Sequence, residues 1–389
     1  MIFGKRSNRE LQYAKAKAKA TEFLVDQSDI PDFRLNSDEL HYTSVFALSS
    51  YVDARIEDRD ASGYMVDLQK TASFYDAASN DKHYEKYADG YWLLAMSTYF
   101  LLGNYGSAKV CLEKVGNKSF YGKRAEKLCS LIDFFLCPSP RPLLTFPNLA
   151  GYLSGLDVNM SEVIDEALAL LTDGSPEDVF FSRIAYVSIA DALSCSARTL
   201  LPAFSGLSID EWRPYLSMHT TPKLLWQAQK QIGLTGVYAG KNAFIQLPTG
   251  SGKTKSIEIL LRSRMLAGRC RQAVIVAPLR ALCSEIVADL AEALKDMARV
   301  RQASDVMEVD SWLRDCSAER LVTVYTPEKL SFVMHHDPEL LKDSDLFVFD
   351  EAHLLSSETR GPGYELLLAE IFRLRADAQR ILISAVVSN

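Results

Sequence analysis

Apolar residues recur at three- and four-residue spacing through the first part of the chain, which is the pattern of amphipathic helices. This spacing predicts helices at 11–24, 41–56, 64–77, 91–102, 105–115 and 121–136. Two further helix starts carry capping signals, because Asn159 stands three residues before Glu162 and Ser175 precedes Pro176. Strand-like alternation is almost absent before residue 218, so an all-helical region is expected there.

The pattern changes after residue 220, where short apolar runs alternate with helical stretches. These runs predict strands at 243–247, 273–277, 321–325, 346–349 and 381–384. Runs that are apolar on both faces are typical of parallel strands covered by helices on both sides. The sequence therefore predicts a helical accessory domain at 1–218 followed by a doubly wound parallel sheet at 219–389.

Two features subdivide the helical region. Residues 91–115 resemble half a tetratricopeptide repeat, since small and aromatic residues flank the Gly103-Asn104 turn. No second copy follows at a period of about 34 residues, so a plain helical hairpin is the alternative. The proline-rich segment 138–142 breaks helices, and a sub-boundary is expected near 138–148.

Charge limits how this chain could bind nucleic acid. The net charge is −7, whereas a protein that binds nucleic acid by its overall charge is expected to be basic. Any such contact must therefore come from a local surface. The first twenty residues form one basic segment, which is either a solvated helix face or a contact for nucleic acid or a protein partner. Its cations are Lys5, Arg6, Arg9, Lys15, Lys17 and Lys19.

The remaining composition points to a cytoplasmic protein without membrane contact. The seven cysteines contain no Cys-x-x-Cys pair, which indicates reduced thiols and not a disulfide framework or a zinc site. The N-terminus has charges after a very short apolar start and no secretory h-region. The most apolar stretch, 179–197, contains Arg183 and Asp191 and is expected to be a buried helix.

A glycine-rich turn follows the first predicted strand. Residues 248–254 read Pro-Thr-Gly-Ser-Gly-Lys-Thr and lead into a predicted helix, which is the context of a phosphate-binding loop. Lys253 is expected to reach the β- and γ-phosphates of a nucleotide, and Thr254 to bind Mg²⁺. Thr249, Gly250, Ser251 and Gly252 complete the predicted phosphate cradle. The strict pattern asks for glycine at 247, where this chain has leucine.

An acidic box, Asp350-Glu351-Ala352-His353, follows the apolar run 346–349. A carboxylate at the end of a strand beside a phosphate loop is where P-loop nucleotidases hold Mg²⁺. Asp350 is therefore predicted to bind Mg²⁺, and Glu351 to orient and deprotonate the attacking water. His353 is expected to link the site to a neighbouring element.

Together these motifs resemble motifs I and II of superfamily 2 helicases of the DExH type. Residues 277–282 resemble motif Ia and residues 326–329 resemble motif Ib, both closest to the Ski-like/Hel-type branch. Residues 384–386 read Ser-Ala-Val and resemble motif III, which usually ends in threonine. A large helical extension before such a motor is also similar to that of some bacterial phage-defence helicases.

The resemblance implies further site residues. Leu225-Trp226-Gln227-Ala228-Gln229 resembles the region that reads adenine, with Gln229 at the better spacing and Gln227 as its rival. Contacts to the backbone of DNA or RNA are expected from Pro278, Arg280, Thr326 and Pro327. His353 and Ser384 are expected to couple ATP to strand movement.

The implied activity is that of an ATP-dependent helicase or translocase that uses ATP and Mg²⁺. No second RecA-like domain is recognisable in the sequence, so it is expected in cis in a longer protein or from a second polypeptide. An arginine finger contributes about 10³–10⁵ in rate, and the chain alone is expected to be nearly inactive. The alternative is a nucleotide-dependent switch or scaffold with a helical protein-interaction domain and no unwinding activity.

Overall fold

A computed structural model describes residues 2–22, 37–137, 143–171, 174–248, 251–303 and 320–385. The chain forms two compact units. One consists of Met1–Thr199 with Arg213–Leu224, and the other of Leu200–Trp212 with Leu225–Asn389.

Helices account for the architecture of the N-terminal part of the chain, as predicted. Three of them were not predicted: α7 is only seven residues long, and α10 and α11 each contain an internal proline, Pro202 and Pro214. The helices are α1 (Lys5–Glu22), α2 (Ser37–Ile56), α3 (Met65–Ser79), α4 (Ala88–Leu101), α5 (Tyr105–Lys114), α6 (Lys123–Leu136), α7 (Pro147–Leu153), α8 (Met160–Leu168), α9 (Pro176–Cys195), α10 (Ala197–Ser205) and α11 (Ile209–Leu216).

Both predicted capping residues act as caps. Asn159 Oδ1 accepts a hydrogen bond from the Ser161 amide at 3.3 Å, and Ser175 Oγ accepts one from the Asp178 amide at 3.1 Å. These bonds satisfy amide groups that a helix start otherwise leaves unpaired. The sequence signals therefore fixed where α8 and α9 begin.

The apolar stretch that contains Arg183 and Asp191 forms α9 and is buried, as predicted. Phe181, Ile184 and Ile189 of this helix are almost inaccessible to solvent. Among the helices of the described ranges, none is long and apolar enough to span a lipid bilayer. Earlier along the chain, α4 and α5 pack against each other across a turn at Gly103, whose φ of 74° suits glycine.

The C-terminal part of the chain contains a six-stranded, fully parallel sheet, which confirms the predicted fold class. The strand order is β1-β6-β5-β2-β4-β3. The strands are β1 (Ala243–Leu247), β2 (Gln272–Val276), β3 (Arg299–Gln302), β4 (Leu321–Tyr325), β5 (Ser344–Phe349) and β6 (Gln379–Ala385). The helices are α12 (Gln227–Leu234), α13 (Lys253–Leu266), α14 (Arg280–Ala293), α15 (Pro327–His336) and α16 (Gly361–Leu374).

All five predicted strands are present, and β3 is an additional one. It reads Arg-Val-Arg-Gln, so it lacks the continuous apolar run of the buried strands. It lies at the sheet edge and pairs only with β4 among the described strands. Polar residues are common on edge strands because they discourage pairing with other chains.

The last of the six described strands in sequence, β6, is an interior strand of the sheet. β6 lies between β1 and β5, and Ser384 pairs in register with Gln246. One face of the sheet packs Phe347 and Phe349 against Leu367 and Ile371 of α16. The carboxyl ends of β1 and β5 therefore open onto the same edge, separated by one strand.

Candidate nucleotide-binding site

The turn between β1 and α13 has the predicted strand, turn and helix arrangement. Gly252 is the N-cap of α13 with φ 88° and ψ 37°, a left-handed conformation that favours glycine. Its carbonyl accepts hydrogen bonds from the amide and the hydroxyl of Ser256, both at 3.0 Å. Ser251 Oγ donates to the Pro248 carbonyl at 2.7 Å. Thr249 and Gly250 lie outside the described residues.

Lys253 forms the electrostatic centre of the site. Its Nζ lies 3.0 Å from Asp350 Oδ1 and 2.7 Å from Glu351 Oε1, although 97 residues separate it from Asp350 in sequence. Burial opposes the lysine charge, but hydrogen bonds to Glu351 and Asp350 outweigh it and raise the pKa of Lys253. The structure therefore brings together the three residues predicted to be catalytic.

The two carboxylates reach one ammonium group because the chain turns sharply after β5. Glu351 has φ 53° and ψ 43°, which is a left-handed conformation that costs a non-glycine residue about 1–2 kcal/mol. Its amide donates to Asp350 Oδ1 at 3.0 Å, and the Asp350 amide donates to the Val276 carbonyl at 2.8 Å. Asp350 is 6% exposed. Backbone strain at such a position is typical of functional sites.

The two residues predicted to couple ATP to strand movement lie at different places near this edge. His353 Nδ1 is 3.2 Å from Glu351 Oε2, within a short 3₁₀ helix at Ala352–Ser356. Ser384 is buried near the end of β6, and its hydroxyl donates to the Ala385 carbonyl at 2.8 Å. Val386, the departure from the usual motif III, lies outside the described residues.

The two candidate adenine-reading glutamines differ in environment. Gln229 is 2% exposed, and its Oε1 accepts a hydrogen bond from the Trp226 amide at 2.7 Å. Its Nε2 lies against Gly252, where an added Cβ would come within 2.7 Å of it. Gln227 is exposed at the first position of α12. Gln229 thus contacts the phosphate loop and also caps α12, a second role that was not predicted.

The protein oxygen atoms at this site are too few to hold Mg²⁺ alone but suit Mg²⁺ that is bound together with a nucleotide. Within the described ranges, no group of three or more His, Cys, Asp or Glu side chains could hold a metal ion. Thr254 is exposed at the start of α13, directly after Lys253. Because Mg²⁺ favours oxygen ligands and keeps several waters, Thr254 and Asp350 could hold it with nucleotide phosphates supplying the rest.

The residues predicted to contact nucleic acid follow two neighbouring strands. Pro278 and Arg280 come after β2, Thr326 and Pro327 come after β4, and these strands pair in register. Arg280 is exposed, whereas both prolines are buried. Thr326 Oγ1 accepts a hydrogen bond from the Lys329 amide at 3.3 Å and so caps α15. A hydroxyl group that accepts one hydrogen bond can also donate one.

An ion-pair network around the buried Arg262 supports α13 and was not predicted. Arg262 is 1% exposed and makes two hydrogen bonds to the Asp296 carboxylate, at 2.8 and 3.0 Å. Glu258 Oε1 lies 3.5 Å from Arg262 Nε. Burial alone would raise the pKa of Asp296, but its hydrogen bonds to Arg262 outweigh this and lower it. The i, i+4 spacing of Glu258 and Arg262 was the available sequence signal.

Comparisons with known proteins find similarity in the C-terminal part of the chain. Residues 227–389 match the DEAD/DEAH box helicase family. The chain is similar to ATP-dependent DNA helicase Hel308 from Thermococcus kodakarensis, with 31% identity over 166 residues, which is 42% of this chain and 14% of that protein. For Hel308 from Pyrococcus abyssi the identity is 29% over 166 residues, or 42% of this chain and 22% of the relative.

Hel308 from Methanocella arvoryzae is 30% identical over 171 residues, again 42% of this chain and 22% of the relative. The chain thus covers less than a quarter of the length of each of these relatives. The family match leaves residues 1–226 outside it. Residues 227–389 are thus similar to the DEAD/DEAH box helicase family, and ATP-dependent DNA helicases are among the proteins that this part of the chain resembles.

Proposed function

We propose that this chain is part of an ATP-dependent superfamily 2 helicase or translocase of the Ski-like/Hel-type branch that acts in the cytoplasm. The observation that carries the proposal is the convergence of Lys253, Asp350 and Glu351 at the carboxyl edge of the parallel sheet. That edge is where open α/β sheets bind their ligands.

Each residue has a distinct role in this proposal. Lys253 leaves the carboxylates when a nucleotide binds and neutralises its β- and γ-phosphates, which the amides of the 249–252 loop also hold. Thr254 and Asp350 hold Mg²⁺, which stabilises the negative charge that develops on the phosphates. Glu351 accepts a proton from the attacking water, and Gln229 contacts the adenine base.

Other residues of the chain bind the nucleic acid or a partner in this proposal. Pro278, Arg280, Thr326 and Pro327 contact the nucleic-acid backbone, and His353 and Ser384 couple the nucleotide state to that contact. Residues 1–218 form an accessory domain for a protein partner, and the extension is of the kind found in phage-defence helicases. A second RecA-like domain, in cis or in trans, supplies the arginine finger, so residues 1–389 alone hydrolyse ATP slowly.

The test compares Glu351→Gln with Glu358→Gln, which makes the same change at an exposed position in the following turn. The Glu351 variant should bind a fluorescent ATP analogue as the unaltered chain does, while its ATP turnover with the second domain present falls by about 10²–10⁴. Glu358→Gln should leave both unchanged. Lys253→Ala should weaken nucleotide binding itself, because a phosphate counter-charge is lost.

Single-stranded DNA and RNA are then added to the same ATPase assay. Stimulation of turnover supports the motor. Turnover that is independent of both nucleic acids would favour the nucleotide-dependent switch or scaffold, in which the α4–α5 hairpin binds a protein partner. Unchanged turnover of Glu351→Gln would contradict the role proposed for the acidic box.

A further inference from the structure

A basic cavity lies at the edge of the sheet opposite the phosphate loop. Its volume is about 800 Å³, and its lining includes one acid, Asp296, and four cations: Arg271, Lys295, Arg299 and Arg320. Arg271 immediately precedes β2, Arg299 begins β3 and Arg320 immediately precedes β4. Because the strands are parallel, these three starts share the amino-terminal edge of the sheet.

Backbone pairing holds the three arginines at adjacent positions. The Leu321 amide donates to the Arg271 carbonyl at 2.9 Å, and the Arg299 amide donates to the Arg320 carbonyl at 2.9 Å. Neighbouring strands are about 4.8 Å apart, so three guanidinium-bearing residues start from a row roughly 10 Å wide. The cavity thus has more cationic than acidic side chains in its lining, and the backbone pairing of the strands sets the positions of its three arginines.

Among the described residues, three acidic side chains at or near this cavity contact other groups, and one of them, Asp296, belongs to its lining. The Asp296 carboxylate binds Arg262, and Glu292 lies 2.5 Å from Lys295. Asp345 accepts from the Arg271 amide at 2.8 Å and lies 3.4 Å from Arg375. Within the described part of the chain, the side chains of Arg271 and Arg320 form no ion pair. Cations gathered in a concave surface concentrate positive potential there, even though the net charge of the chain is −7.

We propose that this cavity binds phosphate groups, either of a free oligophosphate or of a nucleic-acid backbone. The planar guanidinium group presents paired donors that match two oxygens of one phosphate, which a single ammonium does not. The volume lies within the range of cavities that bind small ligands. The site is independent of ATP hydrolysis and of the function proposed above.

The two edges of the sheet are too far apart to share one small ligand. Strands of five residues at about 3.3 Å per residue place the cavity roughly 16 Å from the edge that carries Lys253. A triphosphate bound at the phosphate loop therefore cannot reach Arg271 or Arg320. Binding to the two places can be measured separately.

The experiment measures binding of two probes to the full chain carrying Lys253→Ala, which weakens the phosphate loop. Inorganic tripolyphosphate is titrated by calorimetry, and a labelled single-stranded oligothymidylate by fluorescence anisotropy. The double variant Arg271→Gln/Arg320→Gln should bind the recognised probe about a hundredfold more weakly, since a charge-assisted hydrogen bond contributes about tenfold for each arginine. Arg373→Gln, at an exposed position on α16, is the matched control and should bind within about twofold of the unaltered protein.

Two further comparisons complete the experiment: one is a control for folding, and the other distinguishes a free oligophosphate from a nucleic-acid backbone. The conservative double variant Arg271→Lys/Arg320→Lys keeps the charge but loses the paired donors, so its affinity should be intermediate. Weakened binding of tripolyphosphate alone assigns the cavity to a free oligophosphate, whereas weakened oligonucleotide binding assigns it to a nucleic-acid backbone. Equal affinities in the double variant and Arg373→Gln for both probes would overturn the proposal. Equally tight, arginine-dependent binding of a poly-glutamate peptide would overturn it in favour of an acidic protein partner.

Discussion

Gly252 occupies a backbone position that combines a conformational requirement with a close contact. Its φ of 88° disfavours side chains, and Gln229 Nε2 fills the space that a Cβ would take. Gly268 has a φ of 64° and open space around it. Substitutions at Gly252 and Gly268 can therefore be compared. Both carry the cost of the left-handed backbone, but only the one at Gly252 also carries the cost of displacing Gln229.

We predict that Gly268→Ala lowers the free energy of unfolding by about 1 kcal/mol, the cost of a left-handed alanine. Gly252→Ala should cost more and should also weaken nucleotide binding, because Gln229 is pushed from the phosphate loop. Urea denaturation and titration with a fluorescent ATP analogue measure the two effects. If both variants bind nucleotide as the unaltered chain does, the contact with Gln229 has no role in binding.

Gln229→Ala and Gln227→Ala test which glutamine recognises adenine. Gln229→Ala should reduce the preference for ATP over GTP and should destabilise the protein by about 1 kcal/mol, because the Trp226 amide loses its acceptor. Gln227→Ala removes an exposed amide and should change neither property by a measurable amount. Competition binding with both nucleotides gives the preference. A larger loss in Gln227→Ala would exchange the two assignments.

At the scale of single elements, the sequence predicted those strands, helices and motifs that are marked by a local pattern of residues. The buried strands are apolar on both faces and are recognisable, whereas β3 carries two arginines in four residues and is not. The helices α10 and α11 were not predicted because each contains an internal proline, Pro202 or Pro214, and proline ordinarily ends a helix. The motif residues around Lys253 and Asp350 were identifiable from their strand and turn context. Their ion pairs were not, because these depend on strand order across 97 residues of chain.

The ion pair that ties α13 to the segment after α14 gives a pH-dependent prediction. Asp296 is itself exposed and Glu258 stays close to the buried Arg262, so Asp296→Asn should lower the free energy of unfolding by only about 1 kcal/mol at pH 7. The pKa of Asp296 is lowered in the folded chain, so its contribution is complete above the unfolded pKa of about 4 and is lost as pH falls through the folded value.

The stability difference between Asp296→Asn and the unaltered chain should therefore be constant from about pH 7 to 5 and shrink below about pH 4. Denaturation at a series of pH values measures it. Asp289→Asn, an exposed substitution on α14, should give a small difference that does not vary in this way. A difference for Asp296→Asn that persists unchanged at pH 3 would show that the lost contact is not ionic.

At the scale of the whole molecule, a net charge of −7 means that nucleic acid must bind to a restricted surface. If Arg280 contacts a phosphate, Arg280→Ala should weaken binding of single strands of any sequence to a similar extent. The slope of log affinity against log salt should become shallower by about 0.7. Anisotropy titrations with several oligonucleotides at several salt concentrations test this. Loss confined to one sequence would indicate base recognition instead.

The interior position of β6 has a consequence for how this domain folds during synthesis. Within the described sheet, β1 has β6 as its one neighbour, yet β6 is the last of the six strands to be synthesised. The strand that leads to Lys253 therefore cannot join the strand that leads to Asp350 until residue 385 has left the ribosome. Until then the nascent domain exposes strand edges that can pair with other chains. The ion pairs of Lys253 with Asp350 and Glu351 therefore form only after the chain has been synthesised past β6.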